Sequence, residues 1–340
     1  MGKTSLVADA AKGVGSDPAP VAPIAPVVRI RGFGKRYRRQ VAVAGVDLEV
    51  FPGEIHGLIG PDGSGKSSIM KAIAGVLAFE TGTVDVFGVR IDSEAAAERV
   101  KGRLGFMLQG LGQNLYAELS VEENIDFFAR LREVPQSDFV ERTRELLAMT
   151  RLERFRDRPM KKLSGGMKQK LGLVCTLIHE PDLLILDEPT TGVDPISRRD
   201  LWAILATLQR ERGITAVIST AYMDEAARFQ QLSLLHAGRV LAAGDPDEIV
   251  RRAGGQVVEL AVRPQIEALD LLQARFPQAE AMGARLRVFV DVPSPDAAIR
   301  AVTECLDGLP LEELRTLEPG LEDAFLAMMR RRDESGSTPR

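Results

Sequence analysis

The stretch Gly60-Pro61-Asp62-Gly63-Ser64-Gly65-Lys66-Ser67 decides how this chain is read. It fits G-x-x-x-x-G-K-[ST], the phosphate-binding P-loop. A glycine-rich turn lets several backbone N–H groups converge on a polyphosphate with no Cβ in the way. The helix expected to follow adds the positive end of its dipole. Lys66 reaches the β- and γ-phosphates, and the Ser67 hydroxyl can ligate Mg²⁺. The flanks agree with the motif. Ile55-His56-Gly57-Leu58-Ile59 reads as a short, mostly apolar strand entering the turn, and the residues from Ser68 to Ala74 read as a helix stopped by Gly75.

A second motif answers what the bound phosphates are for. Leu183-Leu184-Ile185-Leu186 is a continuous apolar run, the mark of a strand buried on both faces, and Asp187-Glu188 follows at its carboxyl end. Open α/β sheets bind ligands at that end. Asp187 is placed to hold Mg²⁺, directly or through water. Glu188, one residue on, is the candidate to orient and polarise an attacking water. Leu163-Ser164-Gly165-Gly166-Met167-Lys168-Gln169 then opens another helical pattern. Ser-Gly-Gly at a helix start is a further anion cradle of free N–H groups. Two such cradles on one chain point to use of the second in trans, with two copies clamping one nucleotide head to tail.

The organisation fits a nucleotide-binding α/β protein. Residues 1–26 are rich in Ala and Pro and read as a disordered or extended tail. From 27 to 250 strand-like and helix-like patterns alternate, which predicts an α/β domain with a mostly parallel central sheet. Residues 46–50 read as a strand, and 121–132 and 138–149 as amphipathic helices. The helix-rich stretch of about 101–176 is expected to form a subdomain. A break at Ala253-Gly254-Gly255 opens a small α+β unit over 256–331, whose strand and helix order resembles βαββαβ. Its last helix is expected near 321–329. Arg330-Arg331-Arg332 is then expected to complement that helix's C-terminal dipole, with 332–340 a disordered tail.

Composition narrows the class. A net charge of −4 gives no global basic field toward nucleic acid or anionic lipid. The two cysteines, Cys175 and Cys305, suit a reducing compartment and no disulfide framework. No run of about 18 apolar residues predicts a membrane span, and residues 1–25 lack the apolar core of a signal peptide. Any membrane association is therefore expected to go through a partner.

Taken together, these motifs resemble the ATP-binding subunit of an ABC transporter over nearly all of 27–250. Gly60 to Ser67 resembles the Walker A loop, Leu183 to Asp187 Walker B, and Leu163 to Gln169 the family signature, so that Leu163, Ser164, Gly165, Gly166 and Met167 are expected to contact ATP in trans. The resemblance implies ATP and Mg²⁺ as cofactors and extends the ATP contacts to Ser68. Gln109, in Phe106-Met107-Leu108-Gln109, sits where the family has a glutamine that contacts Mg²⁺ and the water and couples the site to a transmembrane subunit. Gly192-Val193-Asp194-Pro195 resembles the D-loop, which reaches the opposite active site through Asp194. Tyr37 lies where the family places an aromatic that stacks on adenine.

Ser120-Val121-Glu122-Glu123-Asn124 and Leu321-Glu322-Asp323-Ala324-Phe325 resemble the ABC-2 type exporter group, while Gln109-Gly110-Leu111-Gly112-Gln113-Asn114-Leu115-Tyr116 and Thr220-Ala221-Tyr222-Met223-Asp224-Glu225-Ala226 are similar to the cassettes of multidrug-type exporters and of a ribosome-associated ATPase. The resemblance implies ABC-2 type permease subunits and a second cassette, identical or different, as partners. It also allows a periplasmic adaptor. The expected place is the cytoplasmic face of the cell membrane, reached through the permease, with a drug-like or lipidic substrate and no nucleic acid partner.

Two features complicate this assignment. Most family members carry a γ-phosphate-contacting histidine where this chain has Ala221; a missing contact of that kind can cost about 10²–10³ in rate. Either a neighbour or a partner chain compensates, or hydrolysis is slow and the site partly regulatory. Met167 also replaces the usual glutamine after Ser-Gly-Gly, a small change because the backbone carries most of the cradle. The alternative function is a soluble ABC-type ATPase acting on the ribosome or RNA. It rests on six basic residues between Arg29 and Arg39 and on Arg31-Gly32-Phe33-Gly34, which mimics the start of an RNA-binding RNP1 motif. Lys35 and Arg36 then fall where that motif needs Phe and Val, so no stacking platform is expected.

Overall fold

A computed structural model describes residues 24–336, apart from positions 111, 113 and 307. Residues 1–23 of the Ala/Pro-rich stretch and residues 337–340 lie outside the described residues, as do Leu111 and Gln113. The chain begins with an antiparallel hairpin of β1 (Val28–Tyr37) and β2 (Gln40–Val50). Then come β3 (Ile55–Ile59), α1 (Lys66–Ile73), β4 (Thr81–Val86) and β5 (Val89–Arg90). Strands β4 and β5 return to the hairpin and complete an antiparallel sheet ordered β2-β1-β4-β5.

The middle of the chain runs α2 (Glu94–Lys101), β6 (Leu104–Met107), α3 (Val121–Leu131), α4 (Gln136–Thr150), α5 (Gly165–Leu177) and β7 (Leu183–Leu186). It continues through α6 (Pro195–Arg212), β8 (Thr215–Thr220), β9 (Gln231–His236), β10 (Arg239–Gly244) and α7 (Pro246–Ala253). Six strands form the central sheet, ordered β10-β9-β3-β8-β7-β6, parallel at every pairing except β10 with β9. Every residue of β3, β7 and β8 is buried, as strands covered on both faces require. Helices α3, α4 and α5 share one apolar core with a face of this sheet through Ile125, Leu146, Leu171, Val174 and Leu186.

The register of the central strands positions the site. Ile59 lies beside Thr220, and Leu186 lies beside Ile218 and Met107. The turns leaving β3, β7, β8 and β6 therefore emerge side by side at the carboxyl edge. The loop from β6 to α3 is closed by Asn124, which is fully buried. Its amide accepts from the Tyr116 N–H at 2.8 Å and donates to the carbonyls of Tyr116, Leu119 and Ser120. Ser120 and Glu123 cap α3 reciprocally, each side chain accepting the other's backbone N–H.

Beyond α7 the chain forms β11 (Gln256–Val262), α8 (Gln265–Arg275), β12 (Glu280–Met282), β13 (Arg285–Val290), α9 (Pro295–Cys305), β14 (Leu311–Leu317) and α10 (Leu321–Gly336). Its antiparallel sheet is ordered β12-β13-β11-β14. Helices α8 and α9 cover one face, where Leu272 and Val302 pack on Leu260, Leu286 and Val288.

The final helix departs from expectation. Ala327 of α10 packs on Val257 and Phe289 of the small sheet, while Leu321 and Phe325 join the apolar core of the main body. Unlike α8 and α9, α10 therefore joins the two bodies. The helix also continues to Gly336, so Arg330, Arg331 and Arg332 are interior residues, not a C-terminal dipole cap, and positions 332–336 are helical instead of a tail. Arg331 instead pairs with Asp291 at 2.6 Å and donates to the Ala253 carbonyl at 2.8 Å. Those bonds hold the helix to α7's end and to the small sheet's rim, which a free terminus would not need.

Candidate nucleotide-binding and hydrolysis site

The turn after β3 has the backbone that polyphosphate binding needs. Gly65 has φ +108°, and a Cβ there would come within 2.9 Å of the Ala42 carbonyl oxygen. A Cβ on Gly60 would sit 2.1 Å from the Leu235 carbonyl oxygen. Only glycine fits either position. Pro61, Asp62 and Gly63 form the exposed lip of the turn, while Ser64 and Ser68 are buried. Helix α1 starts without a side-chain cap, so its first amides are open to an acceptor. The Ser64 hydroxyl is buried with no hydrogen-bond partner. An orphaned buried hydroxyl inside a ring of glycine backbone is the mark of a site shaped for a ligand.

Lys66 is 3% exposed and its ammonium has three acceptors. These are the Gly60 carbonyl at 2.8 Å, the Pro61 carbonyl at 3.2 Å and Glu188 Oε1 at 3.2 Å. Glu188, itself 4% exposed, also accepts from Gln109 Nε2 at 2.7 Å and from the Thr191 hydroxyl at 3.1 Å. Its backbone has φ +49°, a left-handed conformation costing a non-glycine residue about 1–3 kcal/mol. A bond from the Glu188 N–H to Ser219 Oγ, 2.8 Å long, holds it there. The Ser219 hydroxyl in turn donates to Asp187 Oδ1 at 2.7 Å. Four elements thus bring Lys66, Gln109, Asp187 and Glu188 to one place.

These residues fit a magnesium–nucleotide. Among the described residues no group of three or more His, Cys, Asp or Glu gathers to hold a metal by itself. One carboxylate, one serine hydroxyl and phosphate oxygens are instead the ligand set that Mg²⁺ takes with a nucleotide. Asp187 has one oxygen held by Ser219 and is 2% exposed, which fixes its aim.

The remaining candidates lie around this centre. Tyr37 stands at the β1–β2 hairpin, 46% exposed, with its hydroxyl 3.3 Å from Ser68 Oγ and Lys35 Nζ 5.2 Å from its ring centre. Its ring is thus tied to the P-loop helix and open to a planar ligand. Ser164 caps α5 by accepting the Met167 N–H at 3.3 Å and is otherwise exposed, with Leu163 buried beneath it. Gly166 packs so closely on α6 that a Cβ would lie 2.2 Å from Ser197 Oγ. Gly165 begins the helix beside it. The Ser-Gly-Gly loop is therefore seated on the start of α6, next to Asp194. Asp194 caps that helix, and bonds from the Ser197 hydroxyl and from the Ser197 and Ile196 amides hold its carboxyl below the usual range.

Two contributors were not singled out in the sequence: Ser219 links both acids that follow β7, and Thr191 steadies Glu188. Asn124, quoted there only within a resemblance, closes the loop after Gln109. Ser219 had a signal: a polar residue near the end of the β-branched run 215–220, in the strand next to β7. Three of the six basic residues near Tyr37 are paired within the fold. Arg29 and Arg31 pair with Glu49 at 2.9 and 2.5 Å, Lys35 pairs with Glu80 at 2.8 Å, and Phe33 is fully buried against Phe79. A buried ring cannot stack on a base.

A mostly parallel sheet with a P-loop after β3 and an acidic pair after β7, one strand away, defines a nucleotide-hydrolysing cassette of the P-loop class. Residues 43–191 match the ABC transporter family, a span that holds the P-loop, Gln109, the Ser-Gly-Gly loop and both acids. The chain is 33% identical over 314 residues to a Nod factor export ATP-binding protein I from Ralstonia nicotianae, covering 92% of this chain and 96% of that protein. It is 37% identical over 311 residues to the probable multidrug ABC transporter ATP-binding protein YbhF of Escherichia coli. That match covers 89% of this chain but 52% of YbhF, so the chain spans about half the length of that relative. Among solved structures, cbiO1 of Clostridium perfringens, part of the cbiONQ complex, superposes with a TM-score of 0.62 at 25% identity, covering 75% of this chain and 97% of that one. This chain belongs to the ABC transporter family, on the side of its ATP-binding cassettes.

Proposed function

We propose that the chain is the ATP-hydrolysing subunit that powers an ABC-2 type membrane exporter, acting on a drug-like or lipidic substrate. The observation that carries the hydrolytic part is the buried cluster of Lys66, Gln109, Asp187 and Glu188 beneath an open glycine cradle. The export role is supported by the names of the relatives, a Nod factor export protein and a probable multidrug transporter protein. In this proposal ATP lies on residues 60–68 with its adenine against Tyr37. Ser67, Gln109 and Asp187 would hold Mg²⁺, whose charge would offset the negative charge of the phosphates. Glu188, released from Lys66 when the lysine turns to the phosphates, orients the attacking water. The loop Leu163–Met167 of a second cassette, identical or different, closes over the γ-phosphate, and Asp194 reaches across the same seam.

The partners proposed are permease subunits of the ABC-2 type, with a periplasmic adaptor where the export system has one. No helix among the described residues is long and apolar enough to cross a membrane, so membrane attachment is assigned to the permease. Residues 27–250 are proposed as the ATP-binding domain, with its helical part built on α3–α5 and starting later than position 101, because β6 (Leu104–Met107) belongs to the central sheet. Residues 256–331, the sheet of β11–β14 with its helices, are proposed as a regulatory or dimer-supporting appendage, coupled to the main body through α10.

The test compares ATP-dependent pairing and phosphate release of wild type, Lys66→Ala and Glu188→Gln. Wild type is expected to hydrolyse ATP, Glu188→Gln to trap an ATP-bound pair without turnover, and Lys66→Ala to do neither. Equal hydrolysis by wild type and Glu188→Gln would show the assigned base to be wrong. Stimulation of hydrolysis by vesicles carrying a candidate permease tests the export role separately.

A further inference from the structure

The segment after β8 carries Ala221 where the resemblance places an imidazole, yet four residues later it buries a carboxylate that the scheme above leaves unused. Glu225 lies in the 3₁₀ helix Met223–Arg228 and is 2% exposed. Its Oε2 accepts from the Thr190 hydroxyl at 3.1 Å and its Oε1 from the Trp202 indole N–H at 3.0 Å. The Arg198 Nε stands 3.8 Å from Oε1, and that nitrogen is buried with no hydrogen-bond partner. The Arg198 guanidinium also covers the Tyr222 ring at 4.1 Å and lies 3.8 Å from the outward-facing Asp224. One buried carboxylate therefore joins the loop after β7, helix α6 and the segment after β8.

The loop end of this junction lies close to the proposed chemistry. Thr190 is fully buried and stands two residues beyond Glu188. Its neighbour Thr191 donates its hydroxyl to Glu188 Oε2 at 3.1 Å. The Thr190 carbonyl accepts the Val193 N–H at 3.2 Å, which carries the same loop toward Asp194. Glu188 itself has a positive φ, so this loop is held in a conformation that its neighbours must enforce. Burying a carboxylate costs several kcal/mol unless its bonds are met. Here they are met by partners from the two elements that flank the site.

We propose that Glu225 is a positioning residue for ATP hydrolysis. By anchoring Thr190 it sets the loop on which Glu188 aims the attacking water. It gives the segment after β8, where Ala221 offers no polar side chain, a polar link to the loop after β7. The proposal rests on the hydrolytic reading of the site and adds to it a route between the segment after β8 and Glu188.

The experiment measures ATP affinity, kcat and melting temperature of the full chain for wild type, Thr190→Val, Thr190→Ser, Glu225→Gln and the Thr190→Val/Glu225→Gln pair. Thr190→Val keeps the shape and removes only the hydroxyl. It is expected to lower kcat about tenfold, as displacement of a catalytic group does, with ATP affinity unchanged. Thr190→Ser is expected to restore most of the rate. The double variant is expected to fall no further than the worse single one, because both act through one bond. If Glu225→Gln does not fold, the valine and serine variants decide the matter alone. A lowered melting temperature with unchanged kcat would reduce the cluster to packing and overturn the proposal, as would rate losses that multiply in the double variant. A folded wild type that hydrolyses no ATP overturns the hydrolytic reading as well. An active wild type with an unaffected Thr190→Val overturns this inference alone.

Discussion

Residues 60–68 and residues 163–167 are both glycine-bearing starts of helices, and they stand in opposite conditions. At the first, Lys66 is buried and fully bonded, Glu188 is already beside it, and Gln109 and Ser219 fix the two acids. At the second, Ser164 is exposed, bonds only its own helix, and the loop rests on Ser197 and Asp194 of α6. One half-site is assembled by the fold of a single chain. The other offers its amides outward, in the form that a second protomer would complete. Mutations at the first cradle should therefore act on chemistry, and mutations at the second on assembly.

The largest effect is expected from Glu188→Gln, which should lower phosphate release by about 10²–10⁴ while leaving ATP bound. Full activity in that variant would break the contrast, since the assembled half would then lack its base. Next comes Ala221→His, on the same side. One restored transition-state contact can raise turnover by up to about 10²–10³, read as kcat at saturating ATP. No gain would place compensation elsewhere, in the neighbourhood of Thr190 or across the seam. Ser164→Ala should sharpen the other side of the comparison. It removes a cap worth about 1 kcal/mol to α5, lowers the melting temperature slightly and weakens ATP-dependent pairing, with ATP affinity of the single protomer unchanged. Equilibrium dialysis and light scattering separate those two readouts.

The smallest effect concerns the far end of α5. His179 follows that helix, and burial holds its ring below the usual histidine range despite a 3.0 Å contact with the Leu104 carbonyl. Arg132 and Arg142 push in the same direction. The folded state therefore favours the neutral ring, while the unfolded chain takes up a proton at the ordinary value of 6.5. Its contribution to stability should be intact above that pH and decline as pH falls below it. Melting curves across that range should show a slope that His179→Asn flattens.

Much of this was legible because it depends on short-range chemistry. Glycines at 60, 63 and 65, a lysine after them, and an acidic pair after four apolar residues can each be read locally. The apolar runs of β3 and β7 likewise announce strands covered on both faces. Where local pattern misled, a distant partner had the deciding role. The strand expected over 46–50 extends back to Gln40, because β1 supplies hydrogen bonds along the whole hairpin and register shifts absorb its irregular alternation. Arg331 looks like a helix-terminal cation until Asp291 and the Ala253 carbonyl are seen beside it.

What the sequence alone determined was the chemistry: phosphate cradles, acids at a strand end, and an alternation that needs a mostly parallel sheet. Those follow from residue type and spacing, which survive any arrangement of the rest. The tie of Asp187 to Glu188 through Ser219, the junction of three segments at Glu225 and the packing of α10 on both bodies arise only from the folded arrangement. Each depends on side chains from separate elements meeting in a dry interior. A buried polar group is informative only through its partners, and sequence order does not reveal who they are.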